Sequence, residues 1–301
     1  MINSIRSFYV QVFLSIICIF IFTASCAQHL KIYPMKNDML PKEIHLPPQT
    51  VKIIDSIFVF ENGIRQLETL QVFNLKNGIL VSGHTEYYVK GILNFTAADR
   101  FDHNGNNIES KTTFHLKNSV QVFSKKLDDK GCIIQLTATE DGKENIIYYK
   151  NIYRQDRLTE QSVITGRVIE KRAFQYDAHG NLTEEKVTAF HREAKNLYGY
   201  NKDHQVTLYQ HIQNGELNNK VIYHYHEGLL RKTETHDWLS PNPSIENYTY
   251  NEARQLIMVR QGASNNKIEY KDFDEFSNWQ IMEIYGYGEL TRLTKRQFFI
   301  R

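Results

Sequence analysis

The feature of this sequence that most constrains its fold is a short motif repeated at a nearly fixed interval. Its clearest copy is FQYDAHGNLTEEK at 174–186, in which alternating aromatic residues end in Tyr176 before a segment suited to a turn. Asp177 can bond backbone groups two residues on, and Gly180 accepts a positive φ without a steric clash. Because Leu182 resumes the apolar pattern afterwards, the motif predicts a β-hairpin.

Further copies of the motif recur along most of the chain. The later anchors are Tyr200, Tyr225, Tyr250 and Phe273, so successive anchors lie 24, 25, 25 and 23 residues apart. Weaker copies precede them at Phe73, Phe101, Leu127 and Tyr153. A fixed period of this length indicates a repeat architecture of eight or nine hairpins, each relying on its neighbours to bury an aromatic face.

The composition favours an all-β chain. The sequence contains 18 Tyr and 17 Phe residues, concentrated at strand positions, while helical periodicity is weak. We expect consecutive antiparallel hairpin repeats that form one elongated, twisted sheet or open spiral, with the terminal copies acting as caps. The residue equivalent to Gly180 is His204, Arg254 or Ser277 in later copies, which leaves open whether the turns share one geometry.

The motif resembles that of the YD-repeat proteins related to the Rhs group. The segments that carry the resemblance are YDAHGNLTEE at Tyr176 and FDEFSNWQIM at Phe273, within about residues 70–301. The resemblance implies a strand ending in Tyr-Asp, a turn containing Gly-Asn, and a second strand. The expected structural turn residues are Asp177, Gly180, Asn181 and Asp274. Large Rhs proteins wrap such repeats around a C-terminal toxin, and we expect no toxin domain here.

The N-terminus is typical of an exported protein. A single cation, Arg6, precedes an apolar run at residues 8–22 and then TASCAQ, which predicts a signal peptide over residues 1–27. Two processing routes remain open: lipidation of Cys26 in a lipobox-like segment, or cleavage before Gln28. A Pro-containing tether at 28–50 then leads to the repeat domain at 51–301. The predicted location is the cell envelope, as an outer-membrane or periplasmic lipoprotein, or alternatively the secreted soluble fraction.

The cysteine content and the net charge argue against a disulfide in the repeat domain and against nucleic acid as a partner. With Cys18 and Cys26 in the N-terminal segment, Cys132 stands alone in the repeat domain, so no intrachain disulfide is expected there. The net charge is +2, from interspersed basic and acidic residues, which argues against nucleic acid as a partner.

The sequence contains no motif for a known chemistry. Nucleophile elbows, zinc-protease motifs and phosphate-binding glycine loops are all absent from it, so we expect no cofactor and no enzymatic activity. His224 and His226 alternate on one strand face and are weak candidates for a metal site, although Tyr223 and Tyr225 then hold the core-facing positions. Adjacent carboxylates such as Glu184 and Glu185 should point to opposite faces.

The recurring aromatic residues suggest two alternatives, a buried aromatic core or a partly exposed platform for sugars or proteins. The candidate binding residues are Trp238, beside the LSPNPS segment, together with Tyr225 and Tyr250. The sequence therefore predicts a non-enzymatic exported repeat protein of the bacterial cell envelope that presents a β-sheet surface to a glycan or protein partner. The alternative is a glycan hydrolase that uses carboxylates brought together from distant repeats.

Overall fold

The structure is a computed structural model that describes residues 49–61, 63–190, 192–262 and 264–300. The expected signal peptide, Cys26 and nearly all of the expected tether lie outside these ranges. Within them the chain forms twenty strands, and no helix is long and apolar enough to cross a membrane. The strands are β1 Thr50–Glu61, β2 Ile64–Lys76, β3 Ile79–Val89, β4 Ile92–Phe101, β5 Asn107–Phe114, β6 Ser119–Leu127, β7 Ile133–Glu140, β8 Lys143–Arg154, β9 Arg157–Thr165, β10 Arg167–Tyr176, β11 Leu182–Ala189, β12 Arg192–Tyr200, β13 Val206–Gln213, β14 Glu216–His226, β15 Leu229–Asp237, β16 Ser244–Tyr250, β17 Leu256–Gln261, β18 Lys267–Phe273, β19 Trp279–Gly286 and β20 Glu289–Ile300.

The strands form a closed antiparallel barrel. Each strand pairs with its neighbours along the chain, and β1 pairs with β20 as well as with β2. The prediction of consecutive antiparallel hairpins is confirmed, but the predicted elongated sheet or open spiral is wrong. The terminal repeats pair with each other instead of capping two free ends. Closure pairs the backbone groups that both edges of an open sheet would leave unpaired.

The barrel has two rims that differ in their turns. The motif rim consists of the nine turns that follow β2, β4 and the other even strands up to β18, and these turns coincide with the nine motif copies. The second rim consists of the ten turns that follow the odd strands. Each repeat of about 24 residues therefore contributes two neighbouring strands to the ring.

The two faces of the sheet differ in exposure. Ile53, Asp55 and Ile57 alternate along β1 and are 0% to 6% exposed, whereas Lys171 and Gln175 on the opposite face of β10 are exposed. Side chains converge on the concave side of a barrel, so the shielded face is the lumenal face. Close backbone contacts in the described ranges join only strands adjacent in the ring, and a closed ring of twenty strands is wide enough to leave a space inside.

The outer face carries charged side chains in the middle of its strands. Lys271 contacts Glu269 at 3.0 Å and Glu283 at 2.6 Å, and Lys195 lies 3.3 Å from Glu184. The neighbouring residue of Glu184 in the sequence, Glu185, lies on the lumenal face, as its adjacency predicts. The surface that faces away from the lumen is therefore ionic around much of the ring.

A buried ion pair joins the two ends of the chain at the β1–β20 seam. Arg296 donates from Nε to Asp55 Oδ1 at 2.7 Å and from Nη2 to Asp55 Oδ2 at 2.6 Å. Both side chains are almost fully buried, and the guanidinium also lies 4.1 Å from the ring centroid of Trp279. This two-pronged geometry is the strongest that an arginine and a carboxylate can form.

We predict that Arg296→Ala lowers the free energy of unfolding by about 3–5 kcal/mol, because the substitution leaves the Asp55 carboxylate buried without its partner. Urea unfolding followed by circular dichroism measures the change. Arg100→Ala is the matched control, since Arg100 forms an exposed pair with Glu109 and should cost about 1 kcal/mol or less. Equal losses in the two variants would contradict the role given to the seam.

Candidate functional site

Six turns of the motif rim share one five-residue geometry. In the copy at Asp177, the backbone nitrogen of Asp177 donates to Asn181 O at 2.9 Å and that of Gly180 donates to Asp177 O at 3.1 Å. Equivalent backbone bonds occur in the turns that begin at Asp102, Asp128, Asn201, Asn251 and Asp274. The turns are thus uniform, although His204, Arg254 and Ser277 must adopt a positive φ of 60° to 68° where the other copies have glycine.

The remaining three motif turns are tighter. The copies at Phe73, Tyr153 and Tyr225 end in two-residue turns in which both central residues have positive φ. His226, which occupies the slot of Asp177 in the sequence alignment of the copies, is the last residue of β14 and pairs with Leu229. It therefore does not form the five-residue turn that its position suggests.

The Asp or Asn side chain at the head of each five-residue turn is a hydrogen-bond acceptor. Asp128 accepts from the backbone of Lys130 and Cys132, from Asn151 Nδ2 at 3.0 Å and from the Tyr153 hydroxyl at 2.6 Å. Burial alone would raise the pKa of Asp128, but these bonds outweigh burial and lower it. At Asp177, the hydrogen bond from the Asn181 side chain is the largest cause of a lowered pKa.

Tyrosine hydroxyls join successive hairpins at this rim. Tyr176 donates to Leu158 O at 2.8 Å, and Tyr200 donates to Leu182 O at 2.6 Å, each reaching back to the preceding hairpin. Beneath these bonds lies a small apolar cluster that includes the buried Cys132. The motif residues therefore hold the hairpins together, which is a structural role.

The lumenal face holds a chain of polar side chains that crosses β10 to β13. Arg172 donates to Glu170 at 2.6 Å and to Glu185 at 3.4 Å, and Glu185 accepts from Asn196 Nδ2 at 3.0 Å. Asn196 Oδ1 in turn accepts from the Tyr209 hydroxyl at 3.1 Å. Four neighbouring strands thus present carboxylate, amide and hydroxyl groups along one connected line.

A band of tyrosines continues this line around the lumen. Its members, one on each of five strands from β12 to β18, are Tyr198, Tyr209, Tyr223, Tyr248 and Tyr270. The ring centroids of Tyr198 and Tyr209 are 5.5 Å apart, and all five side chains are half-buried. Burial is the largest cause of their raised pKa values, about 12 for Tyr209, so the hydroxyls are neutral donors at physiological pH.

Beside this band lies a buried acceptor that is not satisfied by the protein. Asn219 faces His211 across β13 and β14, and in the described part of the chain its Oδ1 is buried and accepts no hydrogen bond. The ring nitrogen Nδ1 of His211 is instead 2.8 Å from Asn196 Oδ1. A buried acceptor of this kind costs about 1–3 kcal/mol, which a donor from water or a ligand would recover.

The residues proposed as binding contacts from the sequence do not lie together. Trp238 is exposed in the β15–β16 connection of the second rim, whereas Tyr225 and Tyr250 lie half-buried near the motif rim. His224 is on the outer face, 3.2 Å from Glu234. The described residues contain no group of three or more His, Cys, Asp or Glu side chains that could hold a metal ion.

The lumenal polar residues were not identified from the sequence. Asn196, His211 and Asn219 belong to no motif, and Glu185 lies in the motif copy at 174–186 but has no role in its turn. The signal that could have found them is alternation: Asn196 lies two residues from Tyr198, and His211 lies two residues from Tyr209, so each shares a face with a repeat tyrosine.

Comparisons with known proteins do not assign this chain to a family. No family model and no curated protein matches the chain. Among solved structures, a porin-like protein from Bacteroides uniformis ATCC 8492 is similar over 83% of this chain and 98% of its own, with 10% sequence identity and a TM-score of 0.34. A similarity at that level carries no inference about what this chain binds or does.

We predict that Asp128→Ala lowers the free energy of unfolding by about 2–3 kcal/mol at pH 7, because several donors lose a charged acceptor. The pKa of Asp128 is lower in the folded chain than the ordinary unfolded value of about 3.9, so its stabilisation is present above that value. It is lost as the pH falls through the folded pKa.

The difference in the free energy of unfolding between wild type and Asp128→Ala should therefore shrink below about pH 4. Urea unfolding at several pH values measures it. Asp129→Ala is the control and should change little at any pH, because Asp129 is the sequence neighbour outside this set of bonds. A difference between wild type and Asp128→Ala that grows on acidification would contradict the account.

Proposed function

We propose that this chain is an exported, non-enzymatic protein of the bacterial cell envelope that binds a glycan inside its barrel. The observation that carries the proposal is the lumenal line of tyrosines, amides and carboxylates from β10 to β18. Sugar rings present apolar faces that pack on aromatic side chains and hydroxyls that pair with amides and carboxylates. The lumen offers both kinds of group side by side.

Within the lumen, the segment around Asn219 suits a sugar hydroxyl best. Asn219 Oδ1 is a buried acceptor, and on the same face Tyr209 lies on the neighbouring strand β13 while Tyr223 lies four residues further along β14. Because Oδ1 is covered in this conformation, the Asn219 side chain must rotate for a ligand hydroxyl to donate to it, and that bond would satisfy the acceptor while the sugar face packs on a tyrosine ring. A protein partner would need a protruding segment to reach the same place, so the glycan is the better fit.

The location in the envelope rests on two features. The sequence predicts export from the apolar run at 8–22, with a lipid on Cys26 as one route to the membrane. The outer face of the barrel carries ion pairs such as Lys271 with Glu283, and lipid-facing charges near a bilayer midplane cost several kcal/mol. Both features support a barrel that stands in water beside the membrane.

A hydrolase mechanism has less support. Two lumenal carboxylates on neighbouring strands, Glu170 and Glu185, are both bound by Arg172. A glycosidase requires one carboxyl group kept protonated as the acid and a second placed to act as base or nucleophile. Two carboxylates that share one guanidinium support a role in holding the network in place.

Calorimetric titration of the exported protein with neutral hexasaccharides (cellohexaose, maltohexaose, chitohexaose and mannohexaose) tests the proposal. We expect at least one of them to bind, with Tyr223→Ala and Asn219→Leu each weakening that affinity by at least tenfold. Tyr148→Ala is the matched control, because Tyr148 is an exposed tyrosine on the outer face of β8 and should leave the affinity unchanged.

Three results would count against lumenal glycan binding. They are the absence of binding across the whole panel, equal weakening by Tyr148→Ala and Tyr223→Ala, and release of reducing ends from a bound hexasaccharide. The last would replace the proposal with the hydrolase.

A further inference from the structure

The second rim carries a ring of exposed apolar side chains. Eight of its ten turns hold at least one large apolar residue that is between 43% and 94% exposed. In ring order these are Ile64, Val89 and Ile92, Leu116, Val168, Phe190, Leu217, Trp238 and Leu239, and Tyr287. Single exposed apolar residues are ordinary, but their concentration at one end of a barrel marks an interaction surface.

The area of this ring is large enough for a stable contact. Ten side chains that each expose on the order of 100 Å² contribute roughly 1,000 Å² per copy. Pairing with a surface of equal size would bury about 2,000 Å² in total, above the roughly 1,200 Å² typical of a specific interface. The remaining requirement is a partner whose charges complement those of the rim.

The second rim carries basic, acidic and neutral turns in an irregular order around the ring. Counting residues in each turn and within two positions of it, the turns after β3, β5 and β9 are basic, with Lys90, Lys117 and Arg167. The turns after β13, β15 and β19 are acidic, with Glu216, Asp237 and Glu289.

The turns after β7 and β17 carry the largest net charges and have opposite signs. The β7 turn combines Glu140, Asp141 and Glu144 with Lys143, and the β17 turn has Arg260 and Lys267. The turns after β1 and β11 each hold one basic and one acidic residue, which are Arg65 with Glu61 and Arg192 with Glu193.

This pattern is complementary to itself. In a two-fold dimer with the axis perpendicular to the barrel, a rim meets the same rim of a second copy with its order reversed. Suppose that the axis passes between the turns after β11 and β13. The turn after β9 then meets the turn after β15, the turn after β7 meets the turn after β17, and the turn after β5 meets the turn after β19. In each of these pairs a basic turn faces an acidic one, and in the two remaining pairs a charged turn faces a neutral one.

We propose that the second rim is the interface of a rim-to-rim homodimer of this chain. The apolar ring supplies the buried area, and the charge pattern favours the rotation in which the turns after β7 and β17, which carry the largest net charges, face each other. A partner of one charge sign, such as an anionic lipid surface, would repel about half of the rim. In the dimer the two lumens join at the second rims, and each opens to the outside at its motif rim.

Sedimentation equilibrium of the exported full chain at micromolar concentration tests the apolar contact. We expect twice the mass of one chain for the wild type, and at least tenfold weaker association for Trp238→Ser. Phe276→Ser is the matched control, because Phe276 is an exposed aromatic residue in a turn of the motif rim, and it should leave the mass unchanged. Circular dichroism confirms that each variant is folded.

A charge swap tests the rotation. Lys117 in the turn after β5 should face Glu289 of the second copy in the turn after β19, and in one chain the two turns are several strands apart. Lys117→Glu and Glu289→Lys should each weaken the dimer at least tenfold, since every contact occurs twice in a two-fold interface. The double variant should restore wild-type association, which no contact within one chain explains.

A wild-type chain that stays monomeric at 100 µM, on the order of the weakest affinity expected of a specific dimer, would overturn the proposal. A dimer unaffected by Trp238→Ser, or a double charge variant as weak as the single ones, would also overturn it. Flotation of a monomer with phosphatidylcholine–phosphatidylglycerol vesicles that depends on Trp238 would assign the rim to lipid instead.

Discussion

The pairing of β1 with β20 is the contact on which the rest of this structure depends. A ladder of hairpins has two free edges, and each edge exposes backbone donors and acceptors that favour uncontrolled association. The seam removes both edges at once, and the buried ion pair between Asp55 and Arg296 lies within it. Because that pair is shielded from water, closure in another register would leave two buried charges unpaired, so the pair favours one register as well as closure itself.

Closure also gives the barrel four distinct surfaces: a lumenal face, an outer face and two rims. Once the ring is closed, the alternation of side chains along each strand assigns one face to the lumen and the other to the outside of the ring. The motif tyrosines and Asx-type turns then hold neighbouring hairpins together at one rim, while the tyrosine, amide and carboxylate line faces the hollow interior. The second rim lacks the motif. Its turns carry exposed apolar side chains and charges in a self-complementary pattern. Because the motif residues have a structural role, the lumenal face and the second rim remain as the candidate binding surfaces.

The sequence predicts the local structure of this protein better than its closure or its site. The hairpin at Asp177 follows from turn chemistry, and the repeat interval follows from counting residues. The tight turn after Tyr225 was harder to foresee, because His226 occupies the slot of an Asp. Closure could not be predicted, since Asp55 and Arg296 lie 241 residues apart and nothing in either strand distinguishes a paired edge from a free one. Likewise, the sequence does not show that Asn219 and His211 share a face with Tyr209, because that depends on the pairing of β13 with β14.

The most direct test of this account is a disulfide across the seam. Ser56 and Lys295 are opposite each other on β1 and β20, and the buried Cys132 does not compete for oxidation. Ser56→Cys with Lys295→Cys should form an intrachain disulfide under mild oxidation, seen as a mobility shift on a non-reducing gel. Ser56→Cys with Lys220→Cys, which places the second thiol on distant β14, should not form one. Failure of the first pair to crosslink, or equal crosslinking of both pairs, would contradict a closed barrel.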